Sequence, residues 1–248
     1  MRRTVRQATR GLGLERPLRA VSRRLLPSHR RADLRDHEQL VGLLEELLEP
    51  SSRCLDVGAH EGLVLAEMVR LAPQGRHVAW EPLPGFARRL RERFPSAEIR
   101  ETALSDRAGE RAFAHVLNEP GWSGFRARPT PQNSPVEMIR VRCERLDDAL
   151  PAGAGPALIK IDVEGAEEEV LLGAIDTLRR HRPVVAFEHG AGSADHYGTS
   201  PERLHQLLSG TLGYRIHGLD GDGPYGADRF AELFASGERV NFVARPAG

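Results

Sequence analysis

The chain has 248 residues, 35 basic and 35 acidic, with 40% hydrophobic content. That is enough for one full α/β core of ordinary domain size. No apolar run approaches the roughly 20 residues that cross a bilayer, the N-terminus lacks the apolar centre of a secretory signal, and the two cysteines, Cys54 and Cys143, form no C-x-x-C pair. Membrane-spanning, disulfide-framework and zinc-knuckle classes are therefore excluded, and a cytoplasmic protein is expected.

The neutral balance hides a division. Residues 1–31 hold ten arginines against the single acid Glu15, which leaves 25 bases and 34 acids for the rest. A basic, poorly ordered N-terminal tail over 1–31 is expected, of a composition that also suits anionic lipid, nucleic acid or a transit peptide. Residues 32–248 are expected to form one catalytic domain. The one lysine among the 35 basic residues is Lys160, so either chance or a need for a compact ammonium keeps it there.

In chain order, leucines at helical spacing predict a helix over 36–50, with Asp36 as N-cap and Pro50 as its stop. "RCLDVGA" (53–59) reads as a strand, 63–73 as a helix, "RHVAWEP" (76–82) as a strand, 84–95 as a helix and "AEIRETAL" (97–104) as a strand. Alternation of this kind implies right-handed crossovers and a parallel sheet covered on both faces. The rhythm changes over 106–147, where two strands ("DRAGERAFAHV" and "VEMIRVRC") flank a long loop; this is expected to be a β-rich insertion. "ALIKIDVEG" (157–165) resumes the pattern as a buried strand, followed by a helix over 166–180, the strand "PVVAFEHG" (183–190), a helix capped by Ser200, and two late strands, "YRIHGLD" and "RVNFVARP", expected as an antiparallel edge pair.

Ligands of a parallel sheet gather beyond the carboxyl ends of its strands. Those ends carry Asp56, Gly58 and Gly62, then Glu81, then Asp162 and Glu164, then Glu188 and His189; each acid taken singly also reads as a solvated turn residue. A dinucleotide fingerprint fails, because counting from Gly58 puts His60 where the second glycine must let backbone approach a pyrophosphate. The pattern present is D-x-G-x-x-x-G, which suits a smaller ligand part, with Asp56 available for an ammonium. S-adenosyl-L-methionine has an amino acid end, a ribose and an adenine but no phosphate. Glu81 is placed to accept hydrogen bonds from both ribose hydroxyls. Pro82 and Leu83 are placed to pack on ribose or adenine, and "TALSD" (102–106), with Ala103 and Leu104, to edge the base.

These pieces resemble the FkbM-type methyltransferases, from about residue 53 to about 190. The matching stretches are "LDVGAHEG", "WEPLP", "ALSDRAGE", "RLDDAL", "IKIDVEGAEEEVLLGA" and "PVVAFEHG", with "GYRIHGLDG" later. The resemblance implies a Rossmann-like class I fold, a mostly parallel seven-stranded sheet with helices on both faces and an antiparallel edge hairpin. It implies S-adenosylmethionine over the first two strand ends and methylation of a hydroxyl on a sugar, glycolipid or polyketide-like metabolite. Asp56, Gly58, Ala59 and Gly62 then belong to the cofactor loop, Glu81 to the ribose, and Asp162 and Glu164 to the active-site end of a later strand. The "GAHEG" stretch departs from the family's usual "GAN" followed by an apolar residue, which puts the polar contacts of His60 and Glu61 in question.

The chemistry expected is in-line displacement, with a base for the hydroxyl proton drawn from Asp162, Glu164, Glu188 and His189. Lys160 lies two residues before Asp162 and so on the same side of the strand, either in the polar site or in a structural ion pair. A magnesium-type ion held by the same carboxylates is a rival device for polarising the hydroxyl. The loop "EPGWSGF" with Trp122 is read either as a cover for the cleft or as a plug for the insertion's own core. RNA methylation and a catalytically silent binding module are the rival functions; the acidic body argues against the first, and intact Asp56, Gly58, Gly62 and Glu81 against the second.

Overall fold

The computed structural model describes residues 28–248 apart from 131, 132, 151, 152 and 154. The expectation of a basic tail falls, up to residue 27, outside the described residues. The chain divides into two units between Leu40 and Val41, and every element below except the first lies wholly in the second.

Helix α1 (Ser28–Leu47) starts eight residues before the expected cap. Asp36 is interior to it and faces Arg35 at 3.6 Å. Arginine, alanine and leucine favour helix, and nothing between 28 and 35 breaks it. The order then is β1 (Cys54–Val57), α2 (Leu63–Leu71), β2 (Val78–Trp80), α3 (Pro84–Arg93) and β3 (Glu98–Arg100). The predicted strand over 97–104 is in fact two. After β3 the chain turns, and β4 (Ala103–Leu104) leaves for a second sheet with β5 (Gly109–Val116) and β6 (Val136–Glu144), in the order β4-β6-β5.

A short turn of helix, α4 (Leu146–Ala149), leads to β7 (Leu158–Ile161), which re-enters the main sheet. The helix expected over 166–180 is broken at Gly173 into α5 (Glu167–Leu172) and α6 (Ile175–His181). A Cβ at Gly173 would lie 2.1 Å from the Ser105 carbonyl oxygen, so the break lets the helix pass close to the β4 end. Then come β8 (Val184–Glu188), α7 (Pro201–His205), β9 (Tyr214–Gly218), α8 (Ala227–Ser236) and β10 (Asn241–Pro246). Ser200 caps α7 as expected, its side chain accepting from the Arg203 N–H. Helix α8 was not foreseen; it joins the two late strands and buries Phe230, Leu233 and Phe234.

The main sheet has seven strands in the order β3-β2-β1-β7-β8-β10-β9. Five run parallel, while β10 pairs antiparallel with both β8 and β9. Central strands β1 and β7 are buried along their whole length, as a sheet covered on both faces requires. The main core joins Leu55, Val57, Ile159, Ile161, Val185 and Phe187 to Val170 and Leu178 from the helices. Burying each such side chain is worth ~1.5–3 kcal/mol. A smaller core under the second sheet joins Phe113, Phe125 and Val141 to Leu83 and Ala166. Glu144 fastens the two sheets, accepting hydrogen bonds from Trp80 Nε1 at 2.6 Å and Thr102 Oγ1 at 2.8 Å.

Candidate functional site

Register places the strand ends side by side. Val57 pairs with Trp80 on β2 and with Ile161 on β7, and Ile161 pairs with Phe187 on β8. The residues one step beyond therefore form a row: Glu81, Gly58, Asp162 and Glu188.

The left half of the row is built by backbone. Gly58 has φ 78°, and a Cβ there would lie 1.8 Å from the Asp162 carbonyl oxygen, so only glycine lets the loop after β1 lie against the end of β7. The Gly58 and Ala59 N–H groups both donate to the Trp80 carbonyl, at 3.0 and 3.1 Å. Gly62 turns the chain into α2 with φ 73°, and a Cβ there would meet Leu90 and Phe94 within 2.7 Å. Glu81 is 4% exposed. Its two oxygens accept from the His60 N–H at 2.8 Å and the Leu83 N–H at 2.9 Å. Burial pushes its carboxyl up to about 7, against those two hydrogen bonds. The "GAHEG" departure is thus accommodated by backbone: His60, at φ 47°, delivers its N–H to Glu81 and stacks its ring on Phe86 at 4.4 Å.

Asp56 is not where the sequence reading put it. It is fully buried, and the ammonium it meets is that of Lys160, its cross-strand neighbour, whose Nζ lies 3.1 Å from Oδ1. Lys160 also donates to the Gly58 carbonyl at 2.7 Å and faces Asp162 at 3.7 Å. Desolvation works against that ammonium, but Asp56 and Asp162 outweigh it and hold the group above its ordinary range. The pair supports the Gly58 turn from below and does not offer Asp56 to a ligand.

The right half is built by charge. The Asp162 side chain is 40% exposed, the most open of the strand-end carboxylates that form ion pairs. Glu188 is raised well above the usual carboxylate range by burial and by Asp162, Glu164 and Glu167. Glu164 sits at φ 59°, a left-handed conformation that costs a non-glycine residue ~1–2 kcal/mol. Its carboxylate is ion-paired with Arg128. Burial and Asp162 still push it up, to about 8, against the pull of that guanidinium. Behind it, Glu167 Oε1 accepts from the Val163 and Gly165 N–H groups at 3.2 and 3.0 Å and fixes the turn; burial lifts its carboxyl to about 7.

His189 is set apart from these acids. It points to the other face of β8, is fully buried, and packs against Phe234 at 4.7 Å and Phe230 at 5.7 Å. Burial drives its imidazole down to about 4. As a base for a hydroxyl in the row it has no access. Pro82 and Leu83 follow Glu81 directly, while Ala103 and Leu104 are buried in β4 and belong to the second sheet.

The sequence reading missed Arg128 and Glu167. Glu167 had a signal, standing as the first residue of α5 just after a glycine turn. Arg128 had none, since its partner lies 36 residues further on.

Residues 56–216, well over half of the chain, match the family model described as the methyltransferase FkbM domain. The chain belongs to the FkbM methyltransferase family. It is similar to the 2-O-methyltransferase NoeI of Sinorhizobium fredii (strain NBRC 101917 / NGR234), at 34% identity over 168 residues, covering 61% of this chain and 68% of that protein. It is also similar to the AMB antimetabolite synthetase AmbE of Pseudomonas aeruginosa, at 30% identity over 197 residues, covering 60% of this chain but 9% of that one. The solved FkbM methyltransferase of Methylobacillus flagellatus KT superposes with a TM-score of 0.50 at 17% identity, covering 81% of this chain and 45% of that one. The chain thus spans under half the length of that structure, and the likeness concerns the fold, which is that of the class I methyltransferases.

S-adenosylmethionine fits the left half of the row. Glu81, pinned from one side by two backbone N–H groups, keeps lone pairs for a pair of neighbouring hydroxyls. A divalent ion does not fit the right half: among the described residues no three His, Cys, Asp or Glu side chains converge on one point. Glu164 is taken by Arg128.

Proposed function

We propose that this FkbM methyltransferase transfers a methyl group to a hydroxyl of a small molecule, a sugar, a glycolipid or a polyketide-like metabolite. The single observation that carries the reading is the row itself. A backbone-built cradle ending in Glu81 lies directly beside an accessible carboxylate, Asp162, with Gly58 packed against the carbonyl of that same aspartate. The similarity to a 2-O-methyltransferase supports oxygen as the acceptor atom.

S-adenosylmethionine supplies, when bound, a methyl group on a sulfonium that leaves as a neutral thioether. Glu81 and the Gly58–Gly62 turn would hold it. The chain's remaining work is to align an acceptor oxygen and take its proton. Asp162 is the base in this reading, because it is the open carboxylate. Glu188, whose own carboxyl is raised well above the usual range, is its neighbour in the row. Glu167 keeps the 163–165 turn rigid behind it.

A small hydroxylated acceptor matches the acidic right half better than a phosphate backbone would, since a nucleic-acid track calls for clustered bases beside the cleft. A cytoplasmic setting agrees with two free, buried cysteines, Cys54 and Cys143. Among the described residues no helix is long and apolar enough to cross a membrane.

Calorimetric titration with S-adenosylmethionine, S-adenosylhomocysteine and NAD, each with magnesium and with EDTA, tests the donor half. Binding of the first two alone, unchanged by EDTA, is the expected result. Binding of NAD alone would sink the reading. Transfer of a labelled methyl group to a panel of hydroxylated glycosides and polyketides, lost in Asp162→Asn, tests the acceptor half.

A further inference from the structure

Residues 119–128, in the loop between β5 and β6, reach from His60 beside one half of the row to Glu164 beside the other. At the left end a side-chain carbon added at Gly121 would lie 4.0 Å from the His60 ring. In the middle, Gly124 exchanges backbone hydrogen bonds with Ala114 at 2.8 and 3.1 Å, and a Cβ there would come within 2.8 Å of the Tyr197 hydroxyl. That hydroxyl accepts from the Arg126 N–H at 3.2 Å.

At the right end Arg128 joins three elements. Its guanidinium pairs with Glu164 after β7, donates to the Gly192 carbonyl after β8 at 3.0 Å, and lies 4.4 Å from the centre of the Trp122 ring in its own loop. The Arg128 side chain is 6% exposed although its loop is on the surface. Most surface ion pairs are worth little. This one is buried at its Arg128 end, 25% exposed at Glu164, and set against the left-handed backbone of Glu164.

We propose that residues 119–128 are a strap over the acid-lined strand ends and that the Arg128–Glu164 ion pair is its latch. While latched, Glu164 is committed to Arg128 and Asp162 is the open carboxylate. On the function proposed above, an acceptor too large for the gap under the strap must break the latch to reach Asp162. Trp122 rides on the strap through its stack on Arg128.

The test needs no acceptor and no methyl transfer. The chain has two tryptophans. Trp80 is fully buried and bonded to Glu144, so acrylamide quenching of the full chain reads Trp122, which is 38% exposed. Arg128→Gln should raise the quenching slope about twofold, and Glu164→Gln should raise it by a similar factor with no further rise in the double variant, the signature of one shared interaction. Arg128→Lys, which keeps the charge but not the fork or the stack, should fall in between. An unchanged slope in Arg128→Gln overturns the latch, and so does a rise in Arg128→Gln that Glu164→Gln does not share. Melting temperature and S-adenosylhomocysteine affinity, measured on each variant, separate strap release from unfolding. Loss of S-adenosylhomocysteine binding by the unaltered chain would count against the proposed function and leave the latch standing.

Discussion

The two halves of the site hold their groups by different means. On the Glu81 side the geometry comes from glycines, main-chain N–H groups and a carboxylate with both oxygens engaged. On the Asp162 side it comes from side-chain charges contributed by β7, β8 and a loop far away in sequence. Steric construction is local and unforgiving; electrostatic construction is distributed and adjustable.

The largest expected effect breaks the steric half. Gly58→Ala adds a carbon at 1.8 Å from a carbonyl oxygen and should cost more than about 3 kcal/mol in denaturant unfolding, or abolish folding. Gly237→Ala is the control. It has a similar φ, 64°, at the end of α8 but open space around it, and should cost only about 1 kcal/mol.

The next effects separate the halves functionally. Glu81→Gln should weaken S-adenosylhomocysteine binding by roughly 10–100-fold, the worth of one or two charge-assisted hydrogen bonds. Asp162→Asn should leave that affinity within about threefold and lower turnover by roughly 10²–10⁴-fold, the usual contribution of a positioned base. Equal effects of both changes on donor binding would dissolve the division.

Smaller effects appear in the pH dependence of stability, where His189 just after β8 and Glu167 at the start of α5 have opposite signs. His189, lowered to about 4, is kept neutral in the fold, so the unfolded chain binds the extra proton between about 6.5 and 4. Its contribution is complete above the unfolded value and is lost as pH falls through that window. Glu167, raised to about 7, keeps its proton in the fold when the unfolded chain has released it, so its contribution is complete below about 4.5 and is lost as pH rises toward 7. His189→Leu should flatten the acid limb of melting temperature against pH, and Glu167→Gln the limb between pH 5 and 7. A profile unchanged by both substitutions would show that neither group titrates as its burial requires.

What was legible in the sequence follows the same line. Strand ends, glycine turns and the Glu81 position could be read because apolar runs, positive-φ glycines and an acid after a strand act over a few residues. The main sheet and its antiparallel edge followed from that rhythm, although α8, between the last two strands, went unread. The split after β3 was hidden because no glycine or proline interrupts "EIRETAL", although its two strands pair with different partners. Asp56 was misassigned for a related reason: its true partner, Lys160, is adjacent only through the register of β1 with β7. His189 looked catalytic by position, and its exclusion depends on the side of β8 that it faces. Arg128 is the extreme case, since nothing near it in sequence names Glu164.

Lys160 has a practical consequence. Because it is the only lysine in the chain and its Nζ is roofed by the Gly58 carbonyl, amine-directed acylation has no open lysine to attack while the strand ends hold together. Its slow labelling, followed by mass spectrometry, becomes a single-site clock for how often the floor beneath the glycine turn comes apart, read from one peptide in one reaction.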